Sequence, residues 1–283
     1  MKVQYNRGFC VLLLMTVAMI FSACEQSDPP EPTEQFGRDG NIISFSGIDW
    51  MIKSNGQLQG PGPNFFSNRE EDIFFDDNGY LHMRIAKDGD TWYSTEVVSV
   101  DTMGYGTYTF TVDGDFQGLP NNVVVGLFTW DTNTFYEQAN SEVDIEFSKW
   151  GGPDDDPVLQ YGVQPIAFSE YFAERVHKPV GSKELMNGVS THSFQWTEEF
   201  IQWKSYLGAS ATETNLRHEW TFDLNNPPRV KEEGNSASLP IIIPAPGSTT
   251  NARINFWTLP WVGFADDAPL EIVIRRFEYE PLP

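Results

Sequence analysis

Between Ser141 and Trp150 the chain reads Ser-Glu-Val-Asp-Ile-Glu-Phe-Ser-Lys-Trp, a strict alternation of acidic and apolar residues. Successive side chains of a β-strand point to opposite faces, so the stretch predicts one strand with Glu142, Asp144 and Glu146 on one side and Val143, Ile145 and Phe147 on the other. Three carboxylates in a row repel one another, which favours keeping a proton on one of them near neutrality. An acid beside a base is what glycosidic cleavage requires. The same alternation also describes a half-buried strand with a solvated face. Aromatic neighbours favour the chemical reading. Trp130 closes the apolar run Val123 to Trp130 just ahead of the acidic strand, and Trp150 falls on the parity of the carboxylates. Indole packs against the C–H face of a sugar ring, while carboxylates and amides meet its hydroxyls.

The rest of the chain is read around that strand. From about Ile42 onward, short aromatic and β-branched runs alternate with Gly, Pro, Asn and Asp clusters, without a long segment of 3.6-residue periodicity. This predicts an all-β domain. Strands are expected at 72–75, 81–86, 93–100, 105–112, 123–130, 142–149, 158–163, 192–196, 201–205, 220–223, 253–259 and 270–280. In the last of these Leu270, Ile272 and Ile274 share one parity and Phe277 and Tyr279 the other, which calls for a bulge near Arg275. Many strands without helices imply a sandwich or barrel, and a curved two-sheet sandwich offers a concave face for a chain-like ligand. The segments Gln57–Arg69, Gly151–Pro157 and Asn226–Ser248 are the expected long loops that could wall such a cleft.

Residues 1–24 contain Lys2 and Arg7, an apolar stretch from Phe9 to Phe21, then Ser22-Ala23-Cys24, and no acid. This is the pattern of a secretion signal, too short to span a bilayer comfortably. Its end is similar to the lipobox of bacterial lipoproteins. Cleavage would leave Cys24 as a lipidated first residue; the other cysteine, Cys10, lies in the discarded piece, so no disulfide is expected. Residues 25–40, acidic and rich in proline, read as a tether, and 41–283 as one β-domain. The expected location is the bacterial cell envelope, at the outer membrane or cell surface, with the membrane reached through the lipid alone; an ordinary secreted chain with a spare thiol is the alternative. The chain has 18 basic and 40 acidic residues and a net charge of −22. Nucleic acid is an improbable partner for such a charge, and a neutral glycan fits best.

At the acidic strand the sequence resembles family 16 of the glycoside hydrolases, whose Glu-x-Asp-x-Glu stands here as Glu142-Val143-Asp144-Ile145-Glu146. The likeness extends to Gly60-Pro61-Gly62-Pro63-Asn64, Gly104-Tyr105-Gly106-Thr107-Tyr108, Gly126-Leu127-Phe128-Thr129-Trp130-Asp131, His192-Ser193-Phe194-Gln195-Trp196, Ile201-Gln202-Trp203 and Asn255-Phe256-Trp257. The resemblance implies a β-jelly-roll sandwich of the concanavalin A-like lectin and glucanase type, and endo-acting cleavage of a β-linked polysaccharide with retention of configuration. It further implies Glu142 as nucleophile, Glu146 as acid/base and Asp144 as the residue that supports their protonation states. The motif lacks the extra residue of many β-1,3-glucanases and galactan-cleaving members. It is similar to the form in mixed-linkage β-glucanases and xyloglucan-acting members, so a β-glucan is the expected substrate. A glycan-capturing lipoprotein without catalysis, or a transglycosylase, are the competing functions.

Among other residues, Trp130 and Trp150 are candidate sugar platforms, and Tyr105 and Asn64 candidate contacts to sugar hydroxyls. Trp196, Trp203, Trp220 and Trp257 are expected in the core. The histidines His82, His177, His192 and His218 lack metal-ligand spacing and read as structural. The run Asp154-Asp155-Asp156 could hold a structural calcium but reads as a solvated loop, so no cofactor is expected. The protein is expected to act as a monomer.

Overall fold

The computed structural model describes residues 41–54, 56–133, 141–164, 175–181, 183–223, 229–231, 238–240, 243–259, 264 and 267–283. The expected signal, Cys24 and the tether lie outside the described residues, as does much of the expected loop 226–248.

The strands are β1 (Ile42–Phe45), β2 (Ile48–Ile52), β3 (Phe65–Phe66), β4 (Ile73–Phe75), β5 (Leu81–Asp88) and β6 (Thr91–Ser99). They continue with β7 (Gly106–Asp115), β8 (Val123–Trp130), β9 (Val143–Phe147), β10 (Leu159–Val163), β11 (Val176–His177) and β12 (Asn187–Trp196). The last six are β13 (Phe200–Leu207), β14 (Leu216–Asp223), β15 (Arg229–Lys231), β16 (Ser238–Pro240), β17 (Asn251–Thr258) and β18 (Leu270–Pro281). Each strand expected from the pattern is present with boundaries shifted by a few residues. The pattern did not single out β1, β2, β3, β11, β15 and β16. The β1–β2 hairpin turns at Ser46-Gly47, both with positive φ (55° and 76°), as a two-residue hairpin matching the twist of its strands requires.

Pairing builds two layers. One runs β1-β2-β6-β17-β8-β9-β10-β11, and the other β4-β5-β18-β7-β12-β13-β14. The β5–β6 hairpin passes from one layer to the other, pairing only over Ala86–Asp88 and Thr91–Tyr93. The result is an all-β jelly-roll sandwich. Its pairs are antiparallel except for β3, which runs parallel to β6. The register of β18 against β7 shifts between Ile274 and Arg276, at the expected bulge; Arg275 is thereby turned out to pair with Asp113 at 2.6 Å.

The core lies between the layers. Trp50 meets Phe277 edge-on at 5.0 Å, and Phe110 packs on Phe277 at 4.9 Å. Toward the β9 side, Tyr161, Trp203 and Trp220 stack in a column. The inward face of β9, Val143, Ile145 and Phe147, is fully buried, with Phe147 stacked on Phe116 at 4.2 Å and edge-on to His192 at 5.1 Å. Trp203 also reaches across the core to donate its indole N–H to the carbonyl of Asp144 at 3.0 Å. The catalytic-looking strand is therefore fixed from behind by packing and by one hydrogen bond. Phe147→Ala is expected to cost about 3–5 kcal/mol of stability, read by equilibrium chemical denaturation.

Candidate active site

On the face of β9 opposite the core, the three carboxylates open onto a cleft of about 610 Å³. Its floor consists of alternate residues from adjacent strands. Gly126 pairs with Glu146 and Phe128 with Asp144 across β8; Asn255 pairs with Gly126 and Arg253 with Phe128 across β17; Glu96 pairs with Asn255 across β6. On the other side Gln160 pairs with Glu146 across β10. Gly60 and Pro61, in the expected wall loop, line one side together with Lys53.

The glycine in this row keeps the floor open. A Cβ on Gly126 would fall 2.5 Å from Asn255 Oδ1, closer than real carbon–oxygen contacts. That Oδ1 is buried and has no hydrogen-bond partner among the described residues.

Asp144 is buried, and Glu142 and Glu146 are half-buried. Burial penalises the charged form of all three. Glu142 is pushed up to about 8 by burial and by the charge of Glu146, with Arg253 pulling down. Asp144 is raised by burial and by both glutamates, with Gln164 Nε2, 3.2 Å from its Oδ2, opposing. Glu146 is raised to about 7 by burial, opposed by the Gln160 amide that donates to its Oε2 and by Lys178. The trio titrates as a unit that retains a proton near neutrality. Such an arrangement offers a proton donor and a carboxylate nucleophile or base side by side.

Of the candidate aromatics, Trp130 and Trp150 both line the cleft. Arg253 stands over the ring of Trp130 at 5.5 Å. Trp150 is 38% exposed and adopts a left-handed backbone with φ of 53°. Its ring meets Trp257 edge-on at 6.0 Å. Trp257, expected in the core, lines the cleft instead, because on β17 it shares the face of Arg253 and Asn255. Trp196 and Trp203 are core residues as expected, and Trp220 is half-buried against Trp203 and His177.

Asn64 and Tyr105, the expected hydroxyl contacts, are outside the cleft lining. Asn64 is buried and saturated. Its Nδ2 donates to the carbonyls of Pro61 (2.8 Å) and Thr258 (3.0 Å), and its Oδ1 accepts from Ser94 Oγ at 3.2 Å. It pins the wall loop to β17. Tyr105 packs edge-on against Trp196 at 5.6 Å, at the rim of the β7 layer. His192, fully buried, bonds the hydroxyls of Ser205 and Ser190, and burial pushes its pKa down to about 3. It is a neutral structural residue. Asp154 is exposed, 3.8 Å from Lys149 Nζ, and among the described residues no group of three or more His, Cys, Asp or Glu is arranged to hold a metal ion.

The pattern did not single out Lys53, Glu96, Gly126, Gln160, Gln164 and Arg253. Alternation within their own strands marks Glu96, Gly126, Gln160 and Arg253, while Lys53 and Gln164 lie just past the ends of β2 and β10; their meaning shows once the neighbours of β9 are known.

No protein-family model matches the chain, and comparison with curated proteins finds no match. Solved structures do match. The chain is similar to a β-glucanase of Bacillus licheniformis at 17% identity, over 88% of this chain and 95% of that one, with a TM-score of 0.56. It is also similar to a family 16 glycoside hydrolase of the Bacteroides ovatus mixed-linkage glucan system, in complex with a product, at 13% identity over 86% and 98% (TM-score 0.55). A laminarinase from a Flavobacterium species matches at 13% identity over 87% and 95% (TM-score 0.53). The chain therefore has the fold of the family 16 glycoside hydrolases.

A carboxyl whose pKa is raised on folding costs stability when it must ionise in place. The loss begins above its ordinary value of 4.5 and is complete once pH passes the folded value, about 8 for Glu142. Because unfolded chains give up that proton first, wild-type stability falls through this window. Glu142→Gln removes the penalty. Its melting temperature is expected to exceed that of wild type by a margin that is near zero at acid pH and grows between those two values, measured by calorimetry across pH.

Proposed function

We propose that the protein is an endo-acting, retaining glycoside hydrolase of a β-linked polysaccharide, with a β-glucan as first candidate. The observation that carries this reading is the row of Glu142, Asp144 and Glu146 on the floor of an open, tryptophan-edged cleft. The fold shared with family 16 structures supports it.

In this reading the proton of the row, held more firmly by Glu142 (about 8) than by Glu146 (about 7) in the free protein, passes to Glu146 as substrate binds, and Glu146 gives it to the glycosidic oxygen while a Glu142 carboxylate oxygen attacks the anomeric carbon. The C–O bond to the leaving sugar breaks, and a glycosyl ester forms on Glu142. Glu146, now ionised, takes a proton from water, whose oxygen attacks the same carbon and releases Glu142. Two inversions leave the configuration unchanged. Glu142 and Glu146 lie four residues apart, roughly 13 Å between Cα atoms on an extended strand. Their side chains must lean toward each other to reach the gap of about 5–5.5 Å that a retaining pair uses. Asp144 between them shares the proton and disfavours simultaneous charge on all three. Gln160 and Gln164 hold the outer carboxylate oxygens of Glu146 and Asp144 in place. Trp130 and Trp150 supply ring faces for sugars on either side of the trio.

The test is release of reducing ends from mixed-linkage β-glucan, laminarin, xyloglucan and galactans. Glu146→Gln is expected to slow hydrolysis by about 10²–10⁴-fold, and Glu142→Gln to abolish it. Proton NMR of early product should show the new reducing end first as the β-anomer. Hydrolysis undiminished in both variants would refute the assignment. Binding of a glycan without hydrolysis by wild type would favour capture, and products longer than the starting oligosaccharide would favour transglycosylation.

The same proposal includes a lipid anchor at Cys24 in the cell envelope, supported by the basic, apolar and small-residue order of residues 1–24. Cys24→Ala is expected to move the protein from the membrane fraction to the soluble fraction of a bacterial expression host.

A further inference from the structure

Two glutamines stand beside the carboxylate row on its β10 flank, and they serve two of its three members. Gln160 pairs with Glu146 across β9 and β10, and Gln164, just past the end of β10, shares its parity. Directly opposed side chains on one face of an antiparallel pair start about 4.5–5.5 Å apart, so the Gln160 amide and the Glu146 carboxyl meet readily. Gln160 Nε2 donates to Oε2 of Glu146, and Gln164 Nε2 lies 3.2 Å from Oδ2 of Asp144. On the opposite flank β8 places Gly126 against Glu146, where there is no side chain. Glu146 thus has an amide on one side and an opening on the other.

The two oxygens of Glu146 are therefore unequal. Oε2 is committed to Gln160, which is only 3% exposed and sits on a strand enclosed between β9 and β11. Among the described residues no other hydrogen bond reaches this carboxyl, and Glu146 lines the cleft. A proton on Oε2 would face the N–H of Gln160, donor against donor. A proton on Oε1 leaves the amide bond intact and lies on the oxygen open to a ligand. The Oε1 of Gln160 has no partner among the described residues, so no donor competes for the amide. Its orientation follows from which oxygen of Glu146 is the acceptor.

We propose that Gln160 is a positioning residue that, by keeping Oε2 of Glu146 as an acceptor, confines the acid proton to Oε1, the oxygen that serves the glycosidic bond. The inference deepens the reading above and rests on Glu146 as the acid. In the first step the proton leaves Oε1 for the glycosidic oxygen, the electron pair of the O–H bond stays on Oε1, and the C–O bond to the leaving sugar breaks. In the second, Oε1 takes a proton from the water whose oxygen attacks the anomeric carbon. Oε2 accepts from Gln160 throughout, so the carboxyl serves as acid and then as base without rotating. A hydrogen bond to the ionised form also favours that form, and Gln160 accordingly pulls Glu146 down against burial. The charges around Glu146 are Asp144 and Glu142 on its own strand and Lys178 just past β11. From β8 and β10 the residues opposite it, Gly126 and Gln160, carry none.

The first test needs no substrate. Neutron diffraction from crystals of the wild-type protein in deuterated buffer at about pD 5, below the value of about 7 to which Glu146 is raised, locates the deuteron directly. It is expected on Oε1 of Glu146, with an N–D of Gln160 directed at Oε2. A deuteron on Oε2, or the amide oxygen of Gln160 turned toward it, would overturn the proposal. The second test is kinetic. Gln160→Met keeps the volume and removes the amide, and its kcat/KM on the glycan is expected to fall about tenfold, part of the roughly 10²–10⁴-fold that a general acid contributes. The basic limb of that pH profile should move up by about one unit, a tenfold gain in proton affinity. On a dinitrophenyl glycoside of the same sugar, whose leaving group departs without a proton, kcat/KM should change by less than about twofold. A merely structural role would slow both substrates alike, so equal losses, or an unmoved basic limb, would also overturn the proposal. A deuteron on Oε1 in a protein inert toward every glycan would leave the placement of the proton standing and count against the glycanase reading instead.

Discussion

Three carboxylates on successive outward positions of one strand are costly to bury. The strand tolerates them because its other face makes up the difference. Val143, Ile145 and Phe147 are fully buried, and each apolar side chain of this kind contributes roughly 1.5–3 kcal/mol. Trp203 adds a hydrogen bond to the backbone between them. The cost that remains appears as retained protons rather than as a distorted strand, since a buried carboxyl lowers its own penalty by staying neutral. The chemistry of the cleft and the stability of the sandwich therefore meet in the same six residues, Glu142 to Phe147, and the two faces of this segment cannot be altered independently of each other.

The strand order then decides what surrounds the row. Because β17 inserts between β6 and β8, residues late in the chain, Arg253, Asn255 and Trp257, lie between Glu96 and the carboxylates. The cleft is thus assembled from segments far apart in sequence, each contributing every second residue. Where the row crosses β8, a side chain would collide with Asn255, and glycine is what fits. The wall is secured by a parallel logic. Lys53 and Asn64 use their polar groups on Gly60, Pro61 and Thr258, so the loop bordering the cleft is tied to the same strands that form its floor.

This explains what the sequence made legible. Alternation marks a strand and its two faces, so β9, most of the strands of both layers and the bulge at Arg275 could be read directly. The carboxylate row followed from parity, whereas Trp150 reaches the cleft from a turn beyond the end of β9 at Phe147, where parity no longer applies. Alternation does not say which strands are neighbours, and the composite features were hidden for that reason. Glu96 and Arg253 are 157 residues apart, and nothing local links them. Trp257 resembled a core indole because strands packed on both sides of the sheet carry apolar residues on both faces. Asn64 resembled a ligand contact because a buried, fully bonded asparagine and an open one look alike in sequence.

Trp150 shows how the sandwich supports an exposed indole. A left-handed backbone at a bulky residue costs about 1–2 kcal/mol, and it persists only where the surroundings fix it. Here they do. The N–H of Trp150 donates to Ser148 Oγ at 2.9 Å, and the following Gly151 N–H donates to the carbonyl of Asn121 at 2.7 Å. The preceding Lys149 is buried, with its Nζ donating to the carbonyls of Gln117 and Leu119. The loop before β8 and the turn after β9 are thereby joined around one residue, and the ring they present has Trp257 as its only aromatic neighbour among the described residues. A tryptophan serving the core would gain nothing from this strain, because relaxing the turn would let it bury more of its surface. Holding it 38% exposed at the edge of the cleft is instead the arrangement that suits the proposed stacking on a sugar ring, where a platform fixed in advance loses little entropy on binding.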